Sequence, residues 1–244
     1  DQVVLARESF EKVTAVAQAH GFAPANGILL DLGWSSAQMG DPSRGFSFQV
    51  DGPLDMRYDP QGELTAGELV NTLDERSLAD LIWRYGEERH SRRIARAIVR
   101  ERPLGSTRQL AELIERVVGR RERIHPATRT FQALRIAVND ELGALERTLE
   151  QLPDLLAPAA ALAIISFHSL EDRVVKRFLQ RESSGCICPP GAPICTCGHR
   201  PRLELAPRKP IAPSAEEVAA NPRARSAKLR VARRLPHAHE LSVA

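Results

Sequence analysis

Polar residues able to bind a ligand follow the first strongly apolar segment of the chain. Residues 27–33 read Gly-Ile-Leu-Leu-Asp-Leu-Gly, and they are followed by Trp34, Ser35, Ser36 and Gln38. Ligands of open α/β sheets bind at the carboxyl ends of strands, where an Asp accepts hydrogen bonds and a Gly permits close backbone approach. The pattern therefore predicts a ligand site around Asp31. A strand-ending turn with capping serines would explain the same residues.

A second strand-like segment also ends in polar residues. Residues 162–167 are followed by His168, Ser169, Leu170, Glu171 and Asp172. The spacing predicts a helix that is capped by Ser169, with Asp172 at its third position. If the two strands are neighbours, His168 lies beside the first motif and could position a substrate base or relay a proton. A histidine that only hydrogen-bonds its own loop is the alternative.

Aromatic and charged residues share a Gly- and Pro-rich loop at residues 35–60. It contains Arg44, Phe46 and Phe48, followed by Asp-Gly-Pro-Leu-Asp-Met-Arg at residues 51–57. Such a loop could stack a flipped-out base and hold phosphate. A compact loop that is plugged by its own two phenylalanine rings fits the same residues.

Arginines cluster in the middle of the chain. One predicted helix carries Arg89, Arg92, Arg93, Arg96 and Arg100, and a basic turn follows with Arg120, Arg121 and Arg123. Contact with RNA phosphates is the functional interpretation, and a solvated helix face is the alternative. The formal net charge of +3 does not decide between them, because a sum hides local clustering.

The four cysteines lie in one short stretch with the pattern C-x-C-x6-C-x-C. They are Cys186, Cys188, Cys195 and Cys197, and His199 is close by. Clustering of this kind in a cytosolic protein indicates metal binding or a redox pair more than a disulfide framework. Four thiolates could bind zinc tetrahedrally, but metal pairs usually have the spacing C-x2-C. Thiols without a metal are therefore expected over a bound zinc.

The elements that must position these residues follow a strand–helix order with a helical interruption. The patterns predict strands at residues 3–5, 27–33, 162–167 and 203–205, and an edge strand at 227–232. They predict helices at residues 10–19, 65–73, 75–85, 87–102, 106–118, 128–152, 170–180 and 215–220. An α/β fold with an inserted all-helical domain is the predicted architecture.

The same order predicts the domain limits. The α/β domain occupies residues 1–50 and 126–235, the helical domain occupies 51–125, and 236–244 is a disordered tail. No apolar run is long enough to cross a membrane, and the first residues lack the basic region and cleavage motif of a signal peptide. A cytoplasmic protein that does not bind membranes is expected.

Seven motifs in order resemble the bacterial 16S ribosomal RNA cytosine-N4 methyltransferase family (MraW-type), over the chain up to about Leu235. They read Gly-Ile-Leu-Leu-Asp-Leu-Gly-x-Ser-Ser, Arg-Gly-Phe-Ser-Phe, Asp-Gly-Pro-Leu-Asp-Met-Arg, Tyr-Gly-Glu-Glu-Arg, His-Pro-Ala-Thr-Arg-Thr-Phe-Gln-Ala-Leu-Arg, Ile-Ser-Phe-His-Ser-Leu-Glu-Asp and Asn-Pro-Arg-Ala-Arg-Ser-Ala-Lys-Leu-Arg. The resemblance implies a Rossmann-like, S-adenosylmethionine-dependent methyltransferase domain with a helical insertion. It also implies methylation of a cytosine N4 amine in the decoding region of 16S rRNA.

The resemblance and the motifs together assign roles to residues. The resemblance implies that Phe10, Asp31 and Gln38 contact the cofactor S-adenosylmethionine. We expect catalytic roles for Ser35, Ser36 and His168, and RNA contacts from Arg44, Phe46, Phe48, Arg89, Arg92, Arg93 and Arg96. The small ribosomal subunit is the expected partner. The sequence leaves the oligomeric state open, with a homodimer as one option.

Two departures from the family pattern define the alternatives. The family begins with a strand, a Gly-rich loop and a second strand that ends in an acid, and none of these precedes Asp1. An N-terminally truncated chain is therefore expected, and an inactive RNA-binding module is one alternative. In addition, Trp34 stands where the family has a small aliphatic residue. A DNA amino-methyltransferase is the other alternative, but that class typically has Asp/Asn/Ser-Pro-Pro-Tyr/Phe where this chain has Asp-Leu-Gly-Trp.

Overall fold

The computed structural model describes residues 3–33, 40–119, 124–192 and 194–236, which divide between two compact units. The first unit combines Asp1–Gly33 with Leu142–Ala244, and the second is the continuous segment Trp34–Glu141. Each unit has its own cluster of buried apolar side chains. The mixed α/β fold is confirmed. The domain limits at residues 50 and 125 stay predictions, since a compact unit is not by itself a separately folding domain.

Helices outnumber strands in the described chain. The helices are α1 (Val13–Ala19), α2 (Ala66–Thr72), α3 (Glu75–Gly86), α4 (Ser91–Glu101), α5 (Thr107–Val118), α6 (Thr128–Asn139), α7 (Glu141–Leu155), α8 (Ser169–Glu182) and α9 (Ala215–Ala220). The strands are β1 (Ala25–Asp31), β2 (Leu156–Ser166), β3 (Leu203–Leu205) and β4 (Lys228–Arg234). Short 3-10 turns occur at Phe10–Lys12, Pro42–Arg44 and Pro222–Ser226. Within the described residues, no helix is both long and apolar enough to span a membrane.

A mixed sheet with the strand order β1-β2-β4-β3 forms the centre of the first unit. β1 runs parallel to β2, while β4 is antiparallel to both β2 and β3. Buried side chains of β2, such as Leu162 and Ile164, share a core with Leu149 of α7 and Val175 of α8. The apolar runs that predicted the strands at 27–33 and 162–167 therefore mark the two neighbouring strands of this core.

Two strand predictions in the first unit are wrong. Residues 3–5 form no strand and are exposed, because no described strand pairs with them. The strand predicted at 227–232 exists as β4 but lies inside the sheet, between β2 and β3. Its alternating basic residues suggested an edge strand. Arg230 instead pairs with the Asp172 carboxylate, and Arg234 donates hydrogen bonds to the backbone carbonyls of Pro153 and Leu235, so both guanidinium groups have partners inside the unit.

The second unit is helical, and capping side chains fix where several of its helices begin. Thr65 and Glu68 form a capping box at α2, Asp74 caps α3 and Ser106 caps α5. The helix predicted from residue 87 begins only at Ser91. Glu87 has a left-handed backbone that ends α3, and the buried carboxylate of Glu88 accepts a hydrogen bond from the backbone N–H of His90, so these residues form a turn.

The single helix predicted over residues 128–152 is divided into α6 and α7. Asp140 has a φ of 45°, a left-handed conformation that ends α6. The amide of Asn139 accepts a hydrogen bond from the N–H of Tyr58 at 2.6 Å and donates to the carbonyl of Met56 at 2.7 Å. These tertiary bonds hold the chain out of helical geometry although the apolar stripe continues across the break.

Candidate active site at the ends of β1 and β2

The carboxyl ends of β1 and β2 lie side by side in the first unit. The strands are parallel, Asp31 is in register with Ile165, and the N–H of Leu32 donates to the carbonyl of Ile165 at 3.0 Å. His168 follows Ile165 by three residues. The structure therefore brings together the two sequence segments that carried the first and third motifs, at the edge of the sheet where α/β proteins bind ligands.

Asp31 and Gly33 form the described part of the β1 end. The Asp31 side chain is exposed and, in the part of the chain that the structure describes, makes no hydrogen bond or ion pair. Gly33 has a φ of 97°, which only glycine adopts readily, so the chain can turn sharply after the strand. Trp34, Ser35, Ser36 and Gln38 lie outside the described residues, and their roles stay predictions.

His168, rather than the predicted Ser169, is the N-cap of α8. Its Nδ1 accepts a hydrogen bond from the N–H of Glu171 at 3.3 Å. The Glu171 carboxylate accepts in return from the N–H groups of Phe167 at 2.9 Å and of His168 at 3.3 Å. A histidine can replace serine here because its ring nitrogen reaches the same backbone N–H. The third helical position is consequently Glu171 and not Asp172.

This capping arrangement fixes the orientation of the His168 ring. Since Nδ1 accepts a hydrogen bond, the neutral ring carries its proton on Nε2. Nε2 is buried and lies 3.2 Å from Glu171 Oε1, but it is not aligned for a hydrogen bond with any described atom. A buried ring nitrogen without a hydrogen-bond partner is a group that a bound substrate could satisfy.

Asp172 attaches the first turn of α8 to the sheet. Its carboxylate accepts hydrogen bonds from Arg230 Nε at 2.7 Å and from Lys228 Nζ at 3.0 Å, both on β4. Burial alone would raise the pKa of Asp172, but these two cations outweigh it and hold the pKa below its ordinary value. The ionised carboxylate therefore keeps the helix end, and with it His168, against the end of β2.

Phe10 lies in the turn before α1, and its ring is 41% exposed. The neighbouring Glu11 attaches this turn to α7, because its carboxylate pairs with Arg147 and its carbonyl accepts from Gln151. Phe10 offers an apolar face and Asp31 an exposed carboxylate, the kinds of group that adenine and a hydroxyl or ammonium group can contact. The expected contacts of both residues with S-adenosylmethionine stay predictions.

Close backbone contacts and an ion pair hold together the loop of the second unit that contains Arg44, Phe46 and Phe48. A Cβ on Gly45 would lie 1.9 Å from the Pro53 carbonyl oxygen, and one on Gly52 would lie 2.0 Å from that of Pro42. The two halves of the loop are therefore in direct backbone contact. Asp55 accepts a bidentate pair of hydrogen bonds from Arg57, which lowers the pKa of Asp55.

The aromatic rings of this loop face protein rather than solvent. Phe46 is buried and stacks on Tyr58, while Phe48 packs on His125 and Phe131. Arg44 donates to the carbonyls of residues 57 and 58. These contacts fit the interpretation of a loop that is filled by its own aromatic rings. The expected RNA contacts of Arg44, Phe46 and Phe48 stay predictions.

A basic cleft of about 390 Å³ lies beside α4 in the second unit. Of the four arginines predicted to contact RNA here, Arg89 and Arg93 line the cleft, whereas Arg92 and Arg96 are exposed outside its lining. The cleft also contains cationic or titratable residues that the sequence did not single out, namely His90, Arg116, His125 and Arg129. Arg116 and Arg129 belong to the separate helices α5 and α6, while His90 and His125 precede α4 and α6, so their convergence had no local sequence signal. Arg120, Arg121 and Arg123 lie outside the described residues.

The four cysteine thiols converge in the first unit, and all their sulfur atoms lie within 4.8 Å of one another. Backbone N–H groups, that of Ile187 first and then that of His199, lower the pKa of the Cys197 thiol to about 6. The Cys188 N–H lowers the pKa of Cys186, but contacts with the neighbouring thiols of Cys195 and Cys188 outweigh it and raise that pKa to about 12. His199 is not part of the group, since its Nε2 contacts the Arg181 carbonyl oxygen at 2.8 Å.

Known proteins similar to this chain are methyltransferases. The sequence profile of the MraW methylase family matches residues 1–235. A ribosomal RNA small subunit methyltransferase H of Thermomicrobium roseum is 57% identical over 233 residues, which cover 94% of this chain and 72% of the relative. Its namesake in Dehalococcoides mccartyi is 54% identical, covering 96% and 67%, and that of Heliobacterium mobile is 49% identical, covering 96% and 78%.

Proposed function

Because this chain belongs to the MraW methylase family, we propose that it transfers a methyl group from S-adenosylmethionine to the N4 amine of a cytosine in 16S ribosomal RNA. The relatives named as ribosomal RNA small subunit methyltransferases support the class of RNA. The motifs that resemble the cytosine-N4 family support the methylated atom and its position in the decoding region. The proposed partner is the small ribosomal subunit in the cytoplasm.

The observation that carries this proposal is the pairing of the β1 and β2 ends. It places the exposed carboxylate of Asp31 on one strand end and the oriented ring of His168 beyond the neighbouring one. A methyl donor and a base must meet within bonding distance, which requires two adjacent subsites. Adjacent strand ends provide these subsites.

The proposed roles follow from the chemistry of the two reactants. When bound, the cofactor supplies an electrophilic methyl group on a positively charged sulfur. The cytosine amine is a weak nucleophile because its lone pair is delocalised into the ring, so the main contribution of the protein is alignment. In the proposal, Asp31, Phe10 and Gln38 hold the donor, and Ser35 and Ser36 keep their predicted catalytic roles. His168 positions the base through Nε2–H, while Glu171 keeps its ring in place.

We propose that the basic cleft of the second unit binds the RNA backbone. Arg89, Arg93, Arg116 and Arg129 bring positive charge together from several helices, and phosphate contacts require such convergence more than a single basic stripe. Arg92 and Arg96, which remain exposed on α4, contribute longer-range attraction only. Phe46 and Phe48 support the fold of this unit and have no base-stacking role in the proposal.

Nucleoside analysis tests the proposed reaction. The chain is incubated with unmethylated small ribosomal subunits and isotope-labelled S-adenosylmethionine, and the RNA is digested and analysed by mass spectrometry. Label in N4-methylcytidine is expected, and label in a carbon-methylated cytidine would contradict the proposed atom. Duplex DNA is the matched substrate control. Methylation of the DNA but not of the subunits would make the chain a DNA amino-methyltransferase.

Calorimetry separates transfer from binding. Titration with S-adenosylmethionine is expected to give a saturable heat that is weakened in Asp31→Ala and unchanged in Asp41→Ala, an exposed acid of the second unit. RNA binding without any cofactor binding would reject the enzyme assignment for this chain and leave an RNA-binding module.

A further inference from the structure

The described part of the loop between α8 and β3 has neither regular secondary structure nor buried isoleucine side chains to fix its conformation. Residues 183–202 contain no helix or strand among those described, and the side chains of Ile187 and Ile194 are 48% and 75% exposed. A loop of this length without regular structure is uncommon in a compact unit. Since its apolar side chains are not buried, hydrophobic packing does not explain its conformation.

The two ends of this loop are firmly attached to the first unit. The buried carboxylate of Glu182 pairs with Arg181 at 2.8 Å and with Arg202 at 2.6 Å. The backbone N–H of Arg202 also donates to the carbonyl of Glu182 at 2.8 Å. These contacts fix where the loop leaves and rejoins the unit, but they do not reach the segment from Cys186 to Cys197.

Four of the six distances between the sulfur atoms of that segment lie close to those expected in a tetrahedral zinc–thiolate site, and all six are within 4.8 Å. Cys195 Sγ lies 3.4 Å from Cys186 Sγ, 3.6 Å from Cys197 Sγ and 3.9 Å from Cys188 Sγ, and Cys186 and Cys197 are 3.9 Å apart. Zinc–thiolate bonds of about 2.3 Å in a regular tetrahedron place sulfur atoms about 3.8 Å apart. The observed distances scatter around this value.

Disulfide pairing does not account for the same arrangement. A disulfide joins two sulfur atoms at about 2.05 Å, well below every distance in this group. Cys195 is close to three other thiols at once, whereas a disulfide would single out one partner. A shared central ligand explains why four thiols from two short segments approach a common point.

Backbone N–H groups also point at the sulfur atoms. The N–H of Ile187 donates to Cys197 Sγ at 3.5 Å, and that of Cys188 donates to Cys186 Sγ at 3.4 Å. Such bonds stabilise thiolates, the form in which cysteine binds metal. The first bond links the two C-x-C segments, so their backbones are already arranged around the sulfur group.

We propose that Cys186, Cys188, Cys195 and Cys197 bind one structural zinc ion that holds this loop in its conformation. Four protein ligands leave no open coordination position, so the ion takes no part in catalysis, and the proposal is separate from the proposed methyl transfer. Tetrahedral thiolate sites suit zinc, with iron as the main competitor. The ion replaces the apolar core that the loop lacks.

Metal analysis of the full chain tests the site directly. Protein purified with reductant and without chelator is expected to contain one equivalent of zinc by elemental mass spectrometry. After removal of the zinc, titration with Co²⁺ is expected to saturate at one equivalent and to give the visible absorption of tetrahedral thiolate coordination. Less than a tenth of an equivalent of zinc, together with no such absorption, would overturn the proposal, and one equivalent of iron would overturn the choice of metal.

Single substitutions identify the ligands. Each of the four Cys→Ser variants is expected to lose the tetrathiolate cobalt spectrum, while circular dichroism shows that the helices remain. His199→Ala is the matched control, because His199 lies in the same loop but contacts a backbone carbonyl, and it is expected to keep one equivalent. Loss of the metal in His199→Ala but not in Cys195→Ser would contradict the assignment, as would two disulfides in metal-free protein kept under reductant.

Discussion

The His168 ring combines two tasks at the scale of a single residue. Its Nδ1 caps α8, and its Nε2 is the buried atom assigned to substrate. Because the two nitrogens do different things, substitutions can separate the tasks. Asparagine is a good N-cap residue but has no second ring nitrogen, whereas alanine provides neither function.

His168→Asn is therefore expected to retain the stability of the first unit and to lose most of the methyl transfer, by about 100-fold or more if positioning is its role. His168→Ala is expected to lose the same activity and, in addition, about 1 kcal/mol of stability. Methylation rates and hydrogen exchange of α8 amides measure the two effects. Full activity in the Asn variant would show that His168 only caps its helix.

Gly45 is the second residue whose atoms decide a local structure. It has a φ of 65°, and an added Cβ would lie 1.9 Å from a backbone oxygen. Gly45→Ala is expected to destabilise the second unit by at least about 2 kcal/mol through backbone strain and overpacking. Hydrogen exchange of α3 and α4 amides measures the loss. Gly105→Ala is the control, since its Cβ meets nothing closer than 3.8 Å, and an equal effect in both would contradict the steric explanation.

At the scale of elements, the ion pairs of Glu182 hold the end of α8 beside β3. Burial raises the pKa of Glu182, but hydrogen bonds from Arg202 and Arg181 outweigh it, so the pKa lies below its ordinary value of 4.5. A carboxyl group whose pKa is lowered by folding stabilises the folded state above its unfolded pKa. This stabilisation is lost as the pH falls from 4.5 through the lower folded value.

Glu182→Gln is thus expected to cost about 1–3 kcal/mol at neutral pH. It removes the buried carboxylate from both ion pairs and leaves Arg181 and Arg202 with only their more exposed partners, Glu150 and Asp154. The difference from the unmodified chain should shrink as the pH falls below 4.5. Hydrogen exchange in β2 and α8 gives the free energy at each pH. The exposed Glu216→Gln is the control and should change little. A cost that does not depend on pH would show that packing, and not charge, is what the substitution removes.

Local sequence patterns predicted many of these elements. They did not predict the features that depend on tertiary contacts, such as the helix break at Asp140 and the interior position of β4. Apolar runs marked β1 and β2, because the burial of a strand is encoded within a few residues. The break at Asp140 depends on bonds from Asn139 to residues more than eighty positions away. The interior place of β4 depends equally on distant partners, which alternation along one strand cannot reveal.

In the candidate site, too, local sequence predicted some features, while others depend on contacts between distant residues. The types of Asp31 and His168 and their positions after apolar runs predicted the two strand ends, and β1–β2 pairing makes them neighbours. The cap was assigned one residue too late, since Ser169 has the better capping propensity and only the folded backbone selects His168. The basic cleft was missed in part because Arg116 and Arg129 reach it from separate helices.

At the scale of the whole molecule, a net charge of only +3 makes RNA binding depend on where the charges lie. Arg89→Ala with Arg93→Ala is expected to weaken binding to small-subunit RNA. It should also reduce the slope of log affinity against log salt by about 0.7 to 0.9 for each lost phosphate contact. Filter binding over a range of salt concentrations measures both.

Arg92→Ala with Arg96→Ala removes the same number of positive charges from residues outside the cleft lining, and it is expected to have the smaller effect on both quantities. Arg93→Lys controls for the hydrogen bond from Arg93 to the Val117 carbonyl, since it keeps the charge. Equal losses in the two double variants would mean that RNA responds to overall charge and not to the cleft.

The parallel pairing of β1 with β2 has a consequence for how the chain is made. The two strands are hydrogen-bonded neighbours, yet residues 32–155 separate them, and the second unit is continuous within that interval. During synthesis, every residue of the second unit leaves the ribosome before β2 does. The residues of β2 and α8 that pack against Leu30 and Leu32 are therefore synthesised only after the whole second unit. Ribosome-arrested chains that end within α8 should accordingly show protease protection of the second unit before the first.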